Sequence, residues 1–84
     1  MFEFDDSRPK WPQIVAEVHK RIRERAYVPG QRITALALER EFGVTRVTMG
    51  KVMASLRRDG YVRTEHGMGS FITGKVPAPP AGTE

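Results

Sequence analysis

Apolar positions recur at helical spacing over the first part of this chain and at strand spacing after Gly60, so helices are predicted first and a hairpin last. Trp11, Ile14, Val15, Val18 and Ile22 make one stripe, with Glu17, Lys20, Arg21 and Glu24 outside it. This predicts a first helix opening near Trp11-Pro12, where the missing N–H of proline costs nothing. Val28-Pro29-Gly30-Gln31 has the composition of a type II turn and leads into a short extended piece, Arg32-Ile33. Thr34 is placed to cap a second helix whose apolar contacts come from Leu36, Leu38 and Phe42. Gly43 supplies a stop free to take positive φ, Val44 an apolar plug, and Thr45 the cap of a third helix running to about Asp59. Within it Met49, Val52, Met53 and Leu56 share one face at i, i+3, i+4 and i+7, and Gly60 ends it. Tyr61–Glu65 and Ser70–Thr73 are β-prone runs joined by His66-Gly67-Met68-Gly69, a hairpin signature. The predicted fold is mainly α with a small β-hairpin, a winged helix-turn-helix. It has a three-helix core and a two- to three-stranded antiparallel wing.

The flanks read differently. Residues 1–8 are polar and acidic with no period, which predicts a flexible tail, with docking of Phe2 and Phe4 on the core as the alternative. The folded unit is expected over residues 9–75. Residues 76–84 are rich in proline and alanine and are expected to be an extended, disordered tail. At 84 residues the chain is one domain with room for one small core. It has no cysteine, so neither a disulfide frame nor thiolate-ligated zinc is available. Its apolar runs are too short to span a bilayer, and its acidic start is not that of a signal peptide.

Charge sharpens the picture once its distribution is followed. The net charge is +4, but Glu3, Asp5, Asp6 and Glu84 lie in the flanks. Residues 8–75 hold all 14 Lys and Arg against 6 acids, a net of +8. A folded unit this basic suits a polyanionic partner. A helix, a glycine turn and a second helix with a polar, cationic start form the helix-turn-helix pattern, in which the second helix enters a DNA groove. Catalytic inventory is poor. His19 and His66 fall on separate elements, and no paired carboxylates are placed to share a pocket. Enzymatic chemistry, a metal and an organic cofactor are therefore not expected. Gly67-x-Gly69 follows a strand but opens no helix, so it fails as a nucleotide loop.

The order of elements, together with Gln13-Ile14, Ile22, Pro29-Gly30, Phe42-Gly43-Val44-Thr45-Arg46, Leu56-Arg57-Arg58-Asp59-Gly60-Tyr61-Val62 and His66-Gly67-Met68-Gly69-Ser70-Phe71-Ile72, resembles the winged-helix DNA-binding domain of the GntR family of bacterial transcription regulators. The resemblance covers residues 11–72. It implies a recognition helix in the major groove and a wing at the minor groove, with His66 near phosphates and Gly67 allowing close entry. Three departures stand out. Ile33 runs straight into Thr34 where the family commonly has a proline and one residue more. Leu36 stands where the family's second helix commonly carries a DNA-contacting arginine, and Gly50 where its third helix commonly carries another. Arg46 is the one arginine left of the usual set, with Lys51 beside the lost one, which implies an operator unlike the family's usual one. The family also commonly continues into a larger ligand-binding and dimerising domain, and residues 73–84 do not contain one, so no small-molecule effector domain is visible.

Several residues have a plain alternative to a DNA role. Arg46 is placed to bind guanine O6 and N7 in a bidentate pair, worth about 1–3 kcal/mol of discrimination, or to pair with Glu41. Thr45 and Thr48 can donate to phosphates, and Thr45 can simply cap its helix. Val47 could touch a thymine methyl or act as a partly buried spacer. Gly50 costs a helix interior roughly 0.5–1 kcal/mol relative to alanine. It either lets DNA approach or replaces an exposed residue at no gain. Arg57, with Arg58 and Arg63, forms a phosphate-facing or a solvated edge. Thr34 is expected to meet the phosphate backbone from the second helix. The expected function is sequence-specific binding of double-stranded DNA as a bacterial transcription regulator, a repressor, in the cytoplasm at the nucleoid. Two copies would pair weakly, on DNA. Nonspecific DNA binding in plasmid maintenance or replication, and a winged-helix protein-interaction module, are the alternatives.

Overall fold

In the computed structural model residues 2–79 are described, and the order of elements is α1 (Lys10–Arg23), β1 (Arg32–Ile33), α2 (Ala35–Phe42), α3 (Arg46–Arg58), β2 (Val62–Glu65) and β3 (Gly69–Ile72). Three helices and a three-stranded antiparallel sheet form the winged helix-turn-helix. β3 lies between β1 and β2, pairing Arg32 with Phe71 and Ile33 with Ser70 on one side. On its other side Val62 pairs with Ile72 and Glu65 with Gly69. Gly30 N–H donates to the Ile72 carbonyl at 2.8 Å and Ile72 N–H to the Gln31 carbonyl at 2.9 Å, which ties the β1 turn to the wing.

Local chemistry accounts for the boundaries. Thr34 and Thr45, both extended, each accept a backbone N–H three residues on, from Ala37 and Thr48. These bonds satisfy donors that a helix start leaves open. Between the two helices Gly43 takes φ 67°, ψ 38°, a left-handed turn that a residue with a Cβ adopts at a cost. α1 begins one residue earlier than expected, at Lys10, with Pro12 still inside its first turn.

Ile14, Val18 and Ile22 of α1 meet Met49, Val52, Met53 and Leu56 of α3, closed off by Ile33, Leu38, Phe42, Val62 and Ile72. The face assigned to α3 is thus the buried one. Leu36 is a correction: expected among the apolar contacts of α2, it is 52% exposed. In the α2 helix the core takes Leu38 and Phe42, and Leu36 falls on the opposite side.

Of the two arrangements open to the acidic start, the structure has the docked one. Phe2 stacks edge-on against Phe4 and Phe42, with ring centroids 4.9 and 5.2 Å apart. Asp5 N–H donates to Gln13 Oε1 at 2.8 Å. Burial of two aromatic rings outweighs the polarity of the residues between them. The tail boundary at residue 76 also shifts, because Pro77 is buried and the Ala78 carbonyl accepts from Arg23. An extended proline segment has no backbone ladder to complete and can lie along a helix. Met1 and residues 80–84 fall outside the described residues, and with them the rest of that expectation.

Candidate nucleic-acid interface

The two threonine caps set the starts of α2 and α3 and leave different groups free. Thr45 Oγ1 accepts from Thr48 N–H at 3.2 Å and donates to Thr48 Oγ1 at 3.3 Å, so its one proton is engaged. Thr48 keeps a hydroxyl proton to offer. Thr34 Oγ1 accepts from Ala37 N–H at 3.2 Å and, among the described residues, donates to nothing. Of the three threonines, Thr34 and Thr48 are therefore the ones with a donor to spare for an anionic oxygen.

Cations on the outward face of α3 are uncompensated. Arg46, Lys51 and Arg57 are exposed and form no ion pair or side-chain hydrogen bond among the described residues. The pairing of Arg46 with Glu41 does not occur. Glu41 is held by both terminal nitrogens of Arg21, which also binds Glu17 at 3.0 Å and the Tyr27 hydroxyl at 2.8 Å. The Arg21 guanidinium pulls the Glu41 carboxyl below its ordinary value, and Glu41 in turn raises that of Arg21. Arg58 and Arg63, by contrast, are paired with Asp59 and Glu65 at 3.3 Å each. Arg63 also lies over the Phe71 ring at 5.1 Å.

Thr34, Gly50 and Arg57 come together. With Ile33, Ala35, Met53, Gly69 and Ser70 they line a cleft of about 340 Å³ between the start of α2, the middle of α3 and the base of the wing. A Cβ on Gly50 would meet nothing within 4 Å, so the missing side chain opens the cleft and is not demanded by packing. Gly69 is the reverse case: the Arg32 side chain crosses it, and a Cβ there would sit 2.7 Å from Arg32 Nε. Thr64 and Ser70 hydroxyls bond across the wing at 3.2 Å.

His66 and Gly67 lie apart from this cleft, exposed in the turn that Met68 N–H closes on the Glu65 carbonyl at 3.0 Å. Val47 is 72% exposed in the first turn of α3, which removes the buried-spacer alternative. Gly69 and Ser70 are not among the site residues expected from sequence. Their place at the cleft depends on β1–β3 pairing, which no local period shows. Among the described residues no group of three His, Asp or Glu is placed to hold a metal, and no helix is long and apolar enough to cross a membrane.

Residues 11–72 match the family model described as bacterial regulatory proteins, gntR family. The chain is 31% identical over 72 residues to an uncharacterized HTH-type transcriptional regulator, YdhC, of Bacillus subtilis (strain 168), covering 86% of this chain but 32% of that relative. A GntR family transcriptional regulator from Listeria monocytogenes superposes with a TM-score of 0.81 at 29% identity, over 86% of this chain and 64% of that one. An AraR DNA-binding domain solved in complex with operator ORR3 superposes with a TM-score of 0.73 at 31% identity, over 87% of each chain. The chain thus spans about a third of the curated relative and nearly all of an isolated DNA-binding domain.

Proposed function

Because this chain belongs to the gntR family of bacterial regulatory proteins and has the winged helix-turn-helix of a DNA-binding domain, not of an enzyme, we propose that it binds a specific duplex sequence and represses transcription there. The observation that carries this reading is the set of cations Arg46, Lys51 and Arg57, unpaired among the described residues, on the outward face of α3 beside the open cleft. The outward face of α3 enters the major groove, with Arg46 on a guanine and Lys51 and Thr48 at the groove edge. Val47 and Gly50 face the bases, and Arg57 meets the phosphate backbone. Thr34 donates to a phosphate from the start of α2, while Thr45 holds the first turn of α3 in place. His66 and Gly67 carry the wing to the adjacent minor groove. The AraR domain of the same fold, solved with operator DNA, supports DNA as the partner.

One copy measures 37 × 30 × 22 Å, close to one turn of duplex, roughly 34–36 Å, so a repeated site admits two copies side by side. They pair on DNA and only weakly off it. The site of action is the cytoplasm, at the nucleoid.

Selection of binders from random duplexes by wild type and Arg46→Ala tests the reading. The expected result is a repeated motif that loses preference at one guanine in the mutant, with about 1–3 kcal/mol of discrimination lost there. Retention of duplex without any enriched motif would leave only nonspecific binding, and no retention even at low salt would remove DNA as the partner.

A further inference from the structure

Resting on the operator-binding reading above, we propose that this chain recognises its A·T pairs through thymine C5-methyl groups, contacted by Val47, and not through the hydrogen-bonding edge of adenine. The outward face of α3 carries Val47, Gly50 and Ala54 at i, i+3 and i+7, all exposed, with Lys51 alongside. Between Thr45 and Arg58 there is no Asn, Gln, Asp or Glu. The bidentate amide that reads adenine N6 and N7 is therefore missing, as is the carboxylate that accepts from cytosine N4.

What remains is a short alphabet. Arg46 suits guanine, Lys51 and the threonines are shared with phosphates and caps, and Val47 suits a methyl group. Val47 is no stray core residue: it is 72% exposed, while the core-facing Met49 and Val52 are fully buried. The start of α2 repeats the chemistry, with Leu36 52% exposed between Ala35 and Ala37 and no amide or acid in that turn. Two apolar side chains exposed at the starts of both helices of a cationic motif gain from covering methyl groups and gain nothing from a polar base edge.

The experiment uses the duplex motif selected by the wild-type chain. Each thymine is replaced in turn by deoxyuridine, which removes the methyl and leaves every hydrogen-bonding group in place. At one thymine of a half-site, uracil is expected to weaken wild-type binding about three- to fivefold, the size of one buried methyl group. Val47→Ala is expected to bind the unmodified motif weaker by a similar factor and to be indifferent to uracil at that position. Placing 5-methylcytosine there in place of thymine should restore part of the wild-type affinity and none of the mutant's. Binding unchanged by uracil at every thymine, or a Val47→Ala protein as sensitive to uracil as wild type, would overturn the proposal while the operator reading stands. Failure to enrich any motif would overturn both. Val47 lies outside the core, so Val47→Ala keeps the wild-type melting temperature, and a binding loss there is not an unfolding.

Discussion

Gly43 and Gly50 look alike in sequence and answer opposite physical demands. Gly43 holds φ 67°, which an alanine would occupy only under strain. Gly50 sits at ordinary helical angles with open space where a Cβ would be. Gly50→Ala is expected to raise stability by about 0.5–1 kcal/mol, since alanine loses less backbone entropy in a helix. Gly43→Ala is expected to lower it by about 1–2 kcal/mol. Denaturant titration of the two variants checks this, and a Gly50→Ala protein no more stable than wild type would show that the glycine does more for the fold than leave space. The same Gly50→Ala variant is expected to bind operator more weakly despite its greater stability, because the cleft beside Thr34 and Arg57 narrows. The sequence leaves Gly50 balanced between close DNA approach and a neutral replacement, for want of any local signal of space. Val47 is left equally balanced, and its 72% exposure removes the buried-spacer alternative.

Between elements, two contacts give the fold a pH dependence. Arg21 on α1 reaches Glu41 on α2 and holds its carboxyl below the ordinary 4.5. A depressed carboxyl contributes stability that is present above its unfolded value and lost as pH falls through the folded one, so this clamp weakens only in acid below about pH 4.5. His19 on α1 packs on Tyr61 at 4.7 Å, and its Nε2 is buried without a hydrogen-bond partner among the described residues. Burial, aided by Arg23 and opposed by Asp59, holds it below the ordinary 6.5. The unfolded chain then takes up the proton more readily, so stability is complete above that value and declines as pH drops below it. Melting temperatures at about pH 7.5 and about pH 5.5 are expected to differ in wild type and to converge in His19→Phe, which keeps a ring against Tyr61 without a titrating nitrogen. An undiminished difference in His19→Phe would place the titration elsewhere. Helices, caps and turns were legible because each is written within a few residues: Thr34, Thr45 and the Met49–Leu56 face all signal locally. Arg21–Glu41 and the Phe2–Phe42 stack were not, since each joins segments far apart in the chain. Leu36 misled because an apolar residue in a helical window reads as core whichever way it faces.

At the scale of the whole molecule, acids and bases are sorted by region, and that sorting predicts how binding responds to salt. Residues 8–75 carry a net +8, yet many of those cations are already engaged: Arg21 with two glutamates, Arg58 with Asp59, Arg63 with Glu65, Lys75 on the Asp59 carbonyl. Arg8 is likewise tied to Asp5 at the docked N-terminal segment. Of the cations with no ion pair or side-chain hydrogen bond among the described residues, Arg46, Lys51 and Arg57 share α3, while Lys10, Lys20, Arg25, Arg32 and Arg40 lie elsewhere. Single substitutions on α3 therefore make the salt response a test of that face and not of net charge. On duplex DNA each phosphate neutralised contributes about −0.9 to the slope of log affinity against log salt concentration. Lys51→Ala and Arg57→Ala are each expected to flatten the slope by about 0.9 and to leave the enriched motif unchanged, because phosphate contacts carry no base information. Arg58→Ala is expected to change the slope by less, its guanidinium being shared with Asp59. Binding isotherms across a salt series decide the matter. Equal slopes for wild type and Arg57→Ala would take Arg57 off the backbone. An Arg58→Ala slope flattened as much as that of Lys51→Ala would mean that DNA displaces Asp59 and that α3 engages the duplex along its full length.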